Sequence, residues 1–394
     1  MESFFRTHEF LVTHLDASVR RDLMDQIDWN HRMIAIKGTR GVGKTTFLLQ
    51  YAKEKFGTDR SCLYINMNNF YFSQHTLMEF VEEFSRRGGR VLLIDQAFKH
   101  PDWQAELRKC YDTFPRMRFV FSVSSVMRLA SRQEDAELYD IVKMYNLRGF
   151  SFREFLNLRA GLQLPSYSLD EILRDHERIA RSVLSRVSVS GYLQEYLHHG
   201  FYPFFLEKRN FSENLLKVMN MMIEVDILII KQIEQKYLYK IKKLLYLLAV
   251  ESSKAPNVSH LAEYTGLSRQ TVMHYIHYLQ DARLVNLVYK NTDNPKKPAQ
   301  VLMHNTNLLY AFYPLRFSEK EIMEVFFANN LWKDHTLFKN DTRVSFVVDE
   351  DLKFKFFLDA SSVKRQLEDV YCVVKNSEMG HGNMIPLWLF GFLY

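Results

Sequence analysis

The residues that most constrain the architecture of this chain are Gly38-Thr39-Arg40-Gly41-Val42-Gly43-Lys44-Thr45. They follow the apolar residues 33–36 and precede the apolar residues 47–49, which predicts a strand, a glycine-rich loop and a helix in succession. Glycines allow the loop to turn its backbone N–H groups inward, and the N-terminus of the next helix adds partial positive charge. We therefore expect this loop to hold the phosphates of a nucleotide.

Lys44 and Thr45 carry the side chains with specific roles in such a loop. The Lys44 amine is expected to reach the β- and γ-phosphates, and the Thr45 hydroxyl to coordinate Mg²⁺. The alternative, a glycine turn followed by a solvated lysine, is disfavoured by the strand and the helix on either side. The predicted nucleotide-binding residues are Gly38, Thr39, Arg40, Gly41, Val42, Gly43, Lys44, Thr45 and Thr46.

Residues 90–95 form an apolar run, Arg-Val-Leu-Leu-Ile-Asp, that ends in a carboxylate. Branched apolar residues in succession are typical of a parallel strand buried on both faces, and the carboxyl end of such a strand lies at the same sheet edge as the loop. Asp95 is therefore predicted to bind Mg²⁺ together with Thr45. A solvated turn aspartate is the alternative interpretation.

Further short apolar runs predict the rest of the sheet. Strands are expected at residues 61–66, 118–123 and 143–147, with helical spacing between them and over residues 1–32. Alternating strands and helices favour an α/β fold with a doubly wound parallel sheet and a ligand at its carboxyl edge. Ser124 follows one strand, where it would sense the γ-phosphate or orient water. A plain strand-to-helix turn is the alternative for this serine.

Four features together resemble the bacterial and archaeal AAA-like P-loop ATPases of the AAA_14 type, which carry a DUF4143-like C-terminal region. They are the loop, the strand ending at Asp95 with residues 99–103 after it, the pair Ser124-Ser125, and the run at residues 149–155. The resemblance covers essentially the whole chain. It implies that the loop and Asp95 bind ATP and Mg²⁺, and the preference for ATP over GTP rests on it alone.

This sequence departs from the family pattern at two positions. Gln96 stands where a glutamate usually activates water, and Val123 stands where a glycine is usual. An amide cannot accept a proton as a general base, and such catalysis contributes roughly 10²- to 10⁴-fold to a rate. We expect ATP binding with weak hydrolysis, the nucleotide acting as a conformational switch. Asp102 and Glu106 are carboxylates that would replace the missing base.

The candidate catalytic residues are Lys44, Gln96 and Ser124. The candidates for an arginine finger are Arg128, Arg132 and Arg148, with ordinary surface arginines as the alternative.

Residues 257–273 predict a helix, a glycine turn and a second helix that Ser268 caps. Apolar residues 284–289 and 300–302 flank a tip with Lys296-Lys297, so a winged helix-turn-helix is expected. Such modules bind DNA or dock proteins, and both alternatives stay open. The second helix is expected to bury Val272, Ile276 and Leu279 and to expose Arg269, Gln270, His274 and His277. One outward arginine offers few phosphate contacts, so the wing lysines are the best DNA-binding candidates.

The last segment has a helix with Glu324, followed by apolar runs at residues 344–348 and 352–358. It looks like the restriction-endonuclease-like core, in which Glu, Asp and Glu-x-Lys bind Mg²⁺ and activate water. Relatives carry Asp where Ser345 stands, and a single acid in register gives a divalent ion too few oxygen ligands. We expect a catalytically inactive scaffold, with a metal-dependent nuclease as the alternative. The replacement ligands that a nuclease would need are Asp349 and Asp359.

The composition of the chain limits the class of protein and the number of domains. The 394 residues are 47% hydrophobic and 25% charged, with a formal net charge of +6. These values fit a globular chain of several domains that tolerates nucleic acid or an acidic partner. Three cysteines without a C-x-x-C pair, no secretory signal and no apolar run of about 18 residues predict a cytoplasmic protein without membrane contact. The sequence does not indicate an oligomeric state.

The predicted domains are a P-loop ATPase domain (1–155), a helical connector (156–237), a winged helix (238–304) and the endonuclease-like domain (305–394).

Overall fold

The computed structural model describes residues 1–16, 19–127, 137–207, 210–252, 254–291, 297–312, 315–332, 334–340, 343–349, 351–363 and 369–394. Contacts between residues divide the chain into two compact units, Met1–Gly149 and Phe150–Tyr394. The finer division into four domains, with boundaries at residues 155, 237 and 304, stays a prediction.

The first unit alternates helices and strands. Its elements in chain order are α1 (Glu2–Thr13), α2 (Leu23–Gln26), β1 (Met33–Gly38), α3 (Lys44–Lys55), β2 (Cys62–Asn66), α4 (Leu77–Arg86), β3 (Val91–Asp95), α5 (Trp103–Thr113), β4 (Arg118–Ser124) and β5 (Lys143–Asn146). Short 3₁₀ turns lie at Phe70–Ser73 and Ala97–Lys99.

The helix expected over residues 1–32 is wrong in its extent. Helix α1 ends at Thr13, and α2 begins only at Leu23. Between them, the buried Arg21 side chain donates hydrogen bonds to the backbone carbonyl oxygens of Arg148 and Gly149, at 2.8 and 3.0 Å. These long-range contacts override the helical spacing of the sequence.

The five strands of the first unit form one parallel sheet in the order β2-β3-β4-β1-β5. The predicted parallel sheet of an α/β P-loop fold is thereby confirmed, and β4 separates the loop strand β1 from the Asp95 strand β3. Alternate strand residues pack with α1, α4 and α5 in one apolar core that includes Phe5, Phe84 and Leu107. Since all strands are parallel, Gly38, Asp95 and Ser124 lie at the same edge of the sheet.

The second unit is mostly helical in its first part. Its helices are α6 (Phe152–Ala160), α7 (Leu169–Leu184), α8 (Ser190–Glu195), α9 (Phe211–Met221), α10 (Leu238–Val250), α11 (Val258–Thr265), α12 (Arg269–Asp281), α13 (Thr306–Tyr310) and α14 (Glu319–Leu331). Helices α11 and α12 are joined at Gly266, whose φ of 61° suits a residue without Cβ, and the Ser268 side chain caps α12. The residues Val272, Ile276 and Leu279 of α12 are buried.

Two sheets complete the second unit. Strands β6 (Val285–Val288) and β7 (Gln300–Met303) form an antiparallel pair. The other strands are β8 (Leu337–Phe338), β9 (Phe346–Val348), β10 (Leu352–Phe357), β11 (Val370–Val374) and β12 (Met384–Pro386), in the order β12-β11-β10-β9-β8. This sheet is mixed, because β8, β9 and β10 pair antiparallel whereas β10, β11 and β12 pair parallel. Within the part of the chain described above, no helix is both long and apolar enough to cross a bilayer.

Candidate nucleotide site

The loop between β1 and α3 takes a conformation that depends on its glycines. Gly41 and Gly43 have φ angles of 79° and 91°, which residues with a Cβ rarely adopt. Gly38 is constrained differently, because a Cβ there would lie 2.6 Å from the carbonyl oxygen of Leu147. Three of the predicted phosphate-contacting positions therefore need glycine for reasons visible in the backbone itself.

The Lys44 side chain crosses back over this loop. Its Nζ donates hydrogen bonds to the carbonyl oxygens of Gly38 at 2.7 Å and Thr39 at 2.8 Å. Val42, also in the loop, is contacted by a residue that precedes β1 in the chain, because the Arg21 side chain donates a hydrogen bond to the Val42 carbonyl oxygen at 3.5 Å. The amine thus lies above the glycine loop, at the first residue of α3. Of the remaining predicted contact residues, Arg40 lies in the loop and Thr46 is exposed on α3.

Asp95 is the centre of the hydrogen-bond network next to the loop. Its carboxylate is buried, and Oδ2 accepts hydrogen bonds from Thr45 Oγ1 at 2.7 Å and from the Tyr64 hydroxyl at 2.9 Å. Oδ1 accepts from Ser122 Oγ at 2.5 Å and from the Gln96 backbone N–H at 3.1 Å. The two residues predicted to bind Mg²⁺, Thr45 and Asp95, are therefore in direct contact, although 50 positions separate them in sequence.

Tyr64 and Ser122 are site residues that the sequence reasoning missed. Burial, together with the Asp95 carboxylate, raises the pKa of Tyr64, so its phenol stays protonated and donates to Asp95. Ser122 also accepts the backbone N–H of Gln96 at 2.9 Å. A signal for Ser122 exists, because it is a hydroxyl residue in the interior of a strand whose other interior residues are apolar. Tyr64 gives a weaker signal, since tyrosine is common in strands of any role.

Gln96 adopts a left-handed backbone conformation, with φ of 54° and ψ of 44°. Such a conformation is strained for a residue other than glycine and is found at functional corners. Of the two carboxylates considered as replacements for a base at Gln96, Glu106 is already engaged, because its Oε2 accepts the backbone N–H of Leu77 at 2.7 Å. Asp102 is exposed at the start of α5 and also has a positive φ, of 50°.

Ser124 is the last residue of β4, and its Cα lies opposite that of Gly38 in the sheet register. Its side chain is buried, and the hydroxyl oxygen accepts the Val126 backbone N–H at 3.4 Å. Arg148, one of the three arginine-finger candidates, follows β5, and its carbonyl oxygen accepts the Arg21 hydrogen bond. The other two candidates, Arg128 and Arg132, lie outside the described residues.

Glu324, the acid of the expected nuclease core, is buried within the second unit. Its carboxylate accepts hydrogen bonds from Gln300 Nε2 at 2.8 Å and from Lys339 Nζ at 3.5 Å. Burial lowers the pKa of Lys339, while the Glu324 charge opposes this shift. Asp349 accepts hydrogen bonds from His335 and Thr336. Among the described residues, no group of three or more His, Cys, Asp or Glu side chains is arranged to hold a metal ion.

The exposed side of the α11–α12 pair carries cations and aromatic rings. Arg269, at the start of α12, is exposed, and Lys240 donates a hydrogen bond of 2.7 Å to the carbonyl oxygen of Gly266 in the turn. Lys243 Nζ lies 4.6 Å from the ring centroid of Tyr264, which is 55% exposed. Of the two wing lysines, Lys297 is exposed and Lys296 lies outside the described residues.

Two family models match parts of this chain. Residues 30–156 match AAA_14, described as an AAA domain. Residues 190–309 match DUF8612, a domain of unknown function, which differs from the DUF4143-like region that the resemblance predicted. Among curated proteins, the chain is similar to the uncharacterized protein MJ1637 of Methanocaldococcus jannaschii, with 26% identity over 300 residues. The match covers 72% of this chain and 62% of that protein, so the chain spans less than two thirds of the relative's length.

Solved structures give only distant similarity. Aeropyrum pernix ORC1 in complex with DNA is 12% identical with a TM-score of 0.30, over 79% of this chain and 91% of that chain. AMPPCP-bound DnaA from Aquifex aeolicus is 15% identical with a TM-score of 0.26, over 70% and 86% of the two chains. Residues 30–156 are therefore similar to an AAA domain, and the parallel sheet and the glycine loop of this part of the chain are those of a P-loop fold.

Proposed function

We propose that the first unit binds ATP with Mg²⁺ and hydrolyses it weakly, the nucleotide serving as a conformational switch. The observation that carries this proposal is the hydrogen bond of 2.7 Å from Thr45 Oγ1 to Asp95 Oδ2. A threonine at the start of α3 and an aspartate at the end of β3 meet beside the glycine loop, and hydroxyl and carboxylate oxygens are the ligands that Mg²⁺ prefers.

The residues present fit a triphosphate and a divalent ion. The positive φ angles of Gly41 and Gly43 and the close approach at Gly38 leave a loop over which phosphate oxygens can reach backbone N–H groups. Helix α3 starts at Lys44, so the partial positive charge of its N-terminus faces the same loop. Lys44 would neutralise phosphate charge, and Thr45 and Asp95 would hold Mg²⁺. When bound, the ion neutralises charge on the phosphate oxygens.

The contacts of Lys44 and Thr45 support a role as a switch. Lys44 is bonded to two loop carbonyl oxygens, and Thr45 is bonded to Asp95. Binding of a triphosphate would exchange these internal hydrogen bonds for contacts with phosphate and metal, while Ser122 and Tyr64 still hold the Asp95 carboxylate. The exchange would take place where β1, β3 and β4 end. The nucleotide-bound and nucleotide-free states would then differ in their internal hydrogen bonds, as a conformational switch requires.

Weak hydrolysis follows from the group at position 96. Gln96 is a neutral amide, which orients water through hydrogen bonds but takes no proton from it. Glu106 is engaged at the start of α4 and is thereby disfavoured as a substitute base. Binding and release of ATP, rather than rapid turnover, would therefore set the state of this protein.

Calorimetry with ATP and Mg²⁺ on the full chain tests this proposal. Lys44→Ala is expected to weaken binding about 10- to 100-fold, because it removes charge-assisted hydrogen bonds to phosphate. Lys55→Ala is the matched control, since Lys55 is an exposed lysine at the far end of the same helix. Wild-type protein that gives no heat of association, or a Lys44→Ala variant that binds like Lys55→Ala, would refute ATP binding by this loop.

A second candidate function is DNA binding by a winged helix-turn-helix formed by α10, α11, α12, β6 and β7. The observation in its favour is the group of cations around the Gly266 turn, in which Arg269 is exposed and Lys240 and Lys243 are partly exposed. In such modules the second helix lies in the major groove, and cations nearby contact the phosphates. The alternative, docking of a protein partner on the same face, remains an outcome of the test.

Binding to a labelled duplex over a series of salt concentrations tests the second candidate. Replacing Arg269 and Lys243 by alanine is expected to weaken binding and to reduce the slope of log K against log salt by about 0.9 for each lost phosphate contact. Arg316→Ala is the control, because Arg316 is exposed elsewhere in the second unit. Binding that does not depend on salt would contradict phosphate recognition at this face.

A further inference from the structure

A cavity of about 620 Å³ lies at the carboxyl edge of the parallel sheet in the first unit. Its walls are the segment that follows β2, residues 67–76, and the segment at residues 99–101, a few positions after β3. The two segments meet at the nucleotide site, because the backbone N–H of Met67 donates to the carbonyl oxygen of Asp95 at 3.0 Å. Open parallel sheets bind their ligands at this edge.

The wall after β3 is bracketed by strained backbone. Gln96 and Asp102, with φ angles of 54° and 50°, both lie in the left-handed region although neither is a glycine. The residues between them, including the 3₁₀ turn Ala97–Lys99, thus lie between two positions of strained backbone. Strain of this kind persists where the surrounding structure enforces it and clusters at ligand sites.

The opposite wall presents an aromatic ring to solvent. Phe70 is 91% exposed, which is unusual for a side chain that buries so much area when it finds a partner. Its backbone is nevertheless fixed, because Asn69 Oδ1 accepts the Tyr71 N–H at 2.9 Å and Ser73 Oγ donates to the Phe70 carbonyl oxygen at 2.6 Å. The ring is thus offered from an ordered 3₁₀ turn at the rim of the cavity.

Among the other lining residues, Met67, Phe72 and Pro101 are apolar, and the rest are cationic or neutral and polar. Lys99 is the charged residue, His75 and His100 are the titratable rings, and Asn68, Asn69 and Gln74 supply amides. None of the described residues that line the cavity is an aspartate or a glutamate. An exposed ring, a cation and several amides suit a ligand that has a flat face, a negative charge and hydrogen-bonding edges.

We propose that this cavity binds an unpaired segment of nucleic acid, with a base stacked on Phe70 and the adjoining phosphate near Lys99. Stacking on an aromatic side chain together with backbone cations is how single strands are bound without strict sequence preference. A duplex would hide the base faces that Phe70 needs. A polypeptide has no regular negative charge to match Lys99, so it fits this lining less well. The proposal uses none of the ATP-contacting side chains and stands apart from the ATP proposal.

The test is fluorescence anisotropy of a labelled oligothymidylate of about 12 nucleotides, titrated with the full chain in the absence of nucleotide and Mg²⁺. Phe70→Ala is expected to weaken binding about 10-fold, whereas Phe70→Trp retains it, because the stacking surface is kept. Phe10→Ala is the matched control, since Phe10 is a 60% exposed phenylalanine on α1. Lys99→Gln is expected to weaken binding and to reduce the salt slope by about 0.7, the value for one phosphate contact on a single strand.

Three results would overturn the proposal. The first is Phe70→Ala protein that binds the oligonucleotide as tightly as Phe10→Ala protein. The second is binding that is lost in Arg269→Ala and unchanged in Phe70→Ala, which would assign the nucleic acid to the second unit. The third is Phe70-dependent binding of an unfolded, labelled casein without binding of the oligonucleotide, which would make the ligand a polypeptide. Because the assay contains no nucleotide or Mg²⁺, each of these results could still be interpreted if the protein did not bind ATP.

Discussion

The ring nitrogen Nδ1 of His8 accepts the backbone N–H of Tyr64 at a distance of 3.0 Å. Because β2 is an edge strand of the parallel sheet, this N–H has no neighbouring strand to bond on that side. Helix α1 thus satisfies a polar group on a free sheet edge, which proteins otherwise leave open to pairing with another chain. The same strand residue, Tyr64, reaches Asp95 with its hydroxyl, so one residue connects α1 to the candidate nucleotide site.

This contact predicts that the first unit loses stability in mild acid. Burial lowers the pKa of His8 below its ordinary value, so the unfolded chain takes up a proton before the folded one does. The free energy of unfolding should therefore fall as the pH drops below about 6.5, by up to roughly 1.4 kcal/mol per pH unit. Urea unfolding of wild type and His8→Gln should show a smaller pH dependence for the variant, whose amide oxygen still accepts the Tyr64 N–H. His14→Gln, an exposed change directly after the last residue of α1, is the control. Identical pH dependence in wild type and His8→Gln would contradict the prediction.

Tyr64→Phe is expected to loosen the Asp95 carboxylate. The change removes one donor to Oδ2 while the ring and its packing remain, so unfolding should become easier by about 1 kcal/mol. Half-maximal ATP binding should require about 10-fold more Mg²⁺, as expected for a group that orients a metal ligand. Tyr51→Phe is the control, because Tyr51 is equally buried but stacks on Trp29 away from Asp95. A change in stability without any change in Mg²⁺ dependence would restrict Tyr64 to a structural role.

Gln96→Glu is expected to raise ATP turnover by about 10²-fold, because it supplies the missing proton acceptor. Phosphate release under single-turnover conditions measures this, with ATP affinity determined in parallel. Gln96→Asn is the matched control, since it keeps a neutral amide at the same left-handed corner. Brisk turnover in wild type that Gln96→Ala does not reduce would show that another group activates water.

Two glycines of the loop, Gly38 and Gly43, should respond to substitution differently from Gly191 in α8. Gly43→Ala is expected to lower stability by about 1–2 kcal/mol, because its φ of 91° penalises a Cβ. Gly38→Ala should displace the Leu147 carbonyl oxygen, which lies 2.6 Å from the position of the new Cβ, and should also reduce ATP binding. Gly191→Ala in α8 has open space and should stabilise by about 0.5–1 kcal/mol. Calorimetric unfolding checks all three, and equal effects at the three positions would be inconsistent with this reading of the loop.

Glu324→Ala should be among the most destabilising single changes in the second unit. It leaves the partly buried Lys339 without its carboxylate, a loss that costs about 3–5 kcal/mol for buried pairs. The double variant Glu324→Met with Lys339→Met should recover most of the loss, because no unpaired charge remains. Glu234→Ala, which breaks an exposed pair with Lys236 in the same unit, should cost under about 1 kcal/mol. Comparable losses in Glu324→Ala and Glu234→Ala would contradict the importance of the Glu324–Lys339 pair.

The positions of the strands along the chain and the residues at which they end were accessible from sequence in the first unit, because they depend on local pattern. Apolar runs and a terminal polar residue identify β1, β3 and β4, and the glycine loop fixes which sheet edge carries the site. Contacts made by single polar side chains over long sequence distances were not accessible in this way. Arg21, Tyr64 and Ser122 all bond to groups whose nearness depends on the completed sheet.

In the second unit, too, the sequence predicts local features but not the long-range contacts of single polar side chains. The turn at Gly266 and the buried stripe of α12 follow from spacing, whereas the surroundings of Glu324 do not. Sequence placed this acid in a nuclease register, but Gln300 and Lys339 come from other elements and occupy its oxygens. Pattern reasoning identifies which face of a helix is buried, and it does not identify the partners of a charge that is buried on it.

The left-handed corner at Gln96 has one further consequence. Glycine would occupy this backbone geometry without strain, and a β-branched side chain would not tolerate it. Directed evolution for heat resistance would therefore favour Gln96→Gly, and selection for nucleotide turnover would favour Gln96→Glu. The two selections would therefore favour different residues at position 96. The residue recovered there would show whether thermal stability or ATP turnover was under selection.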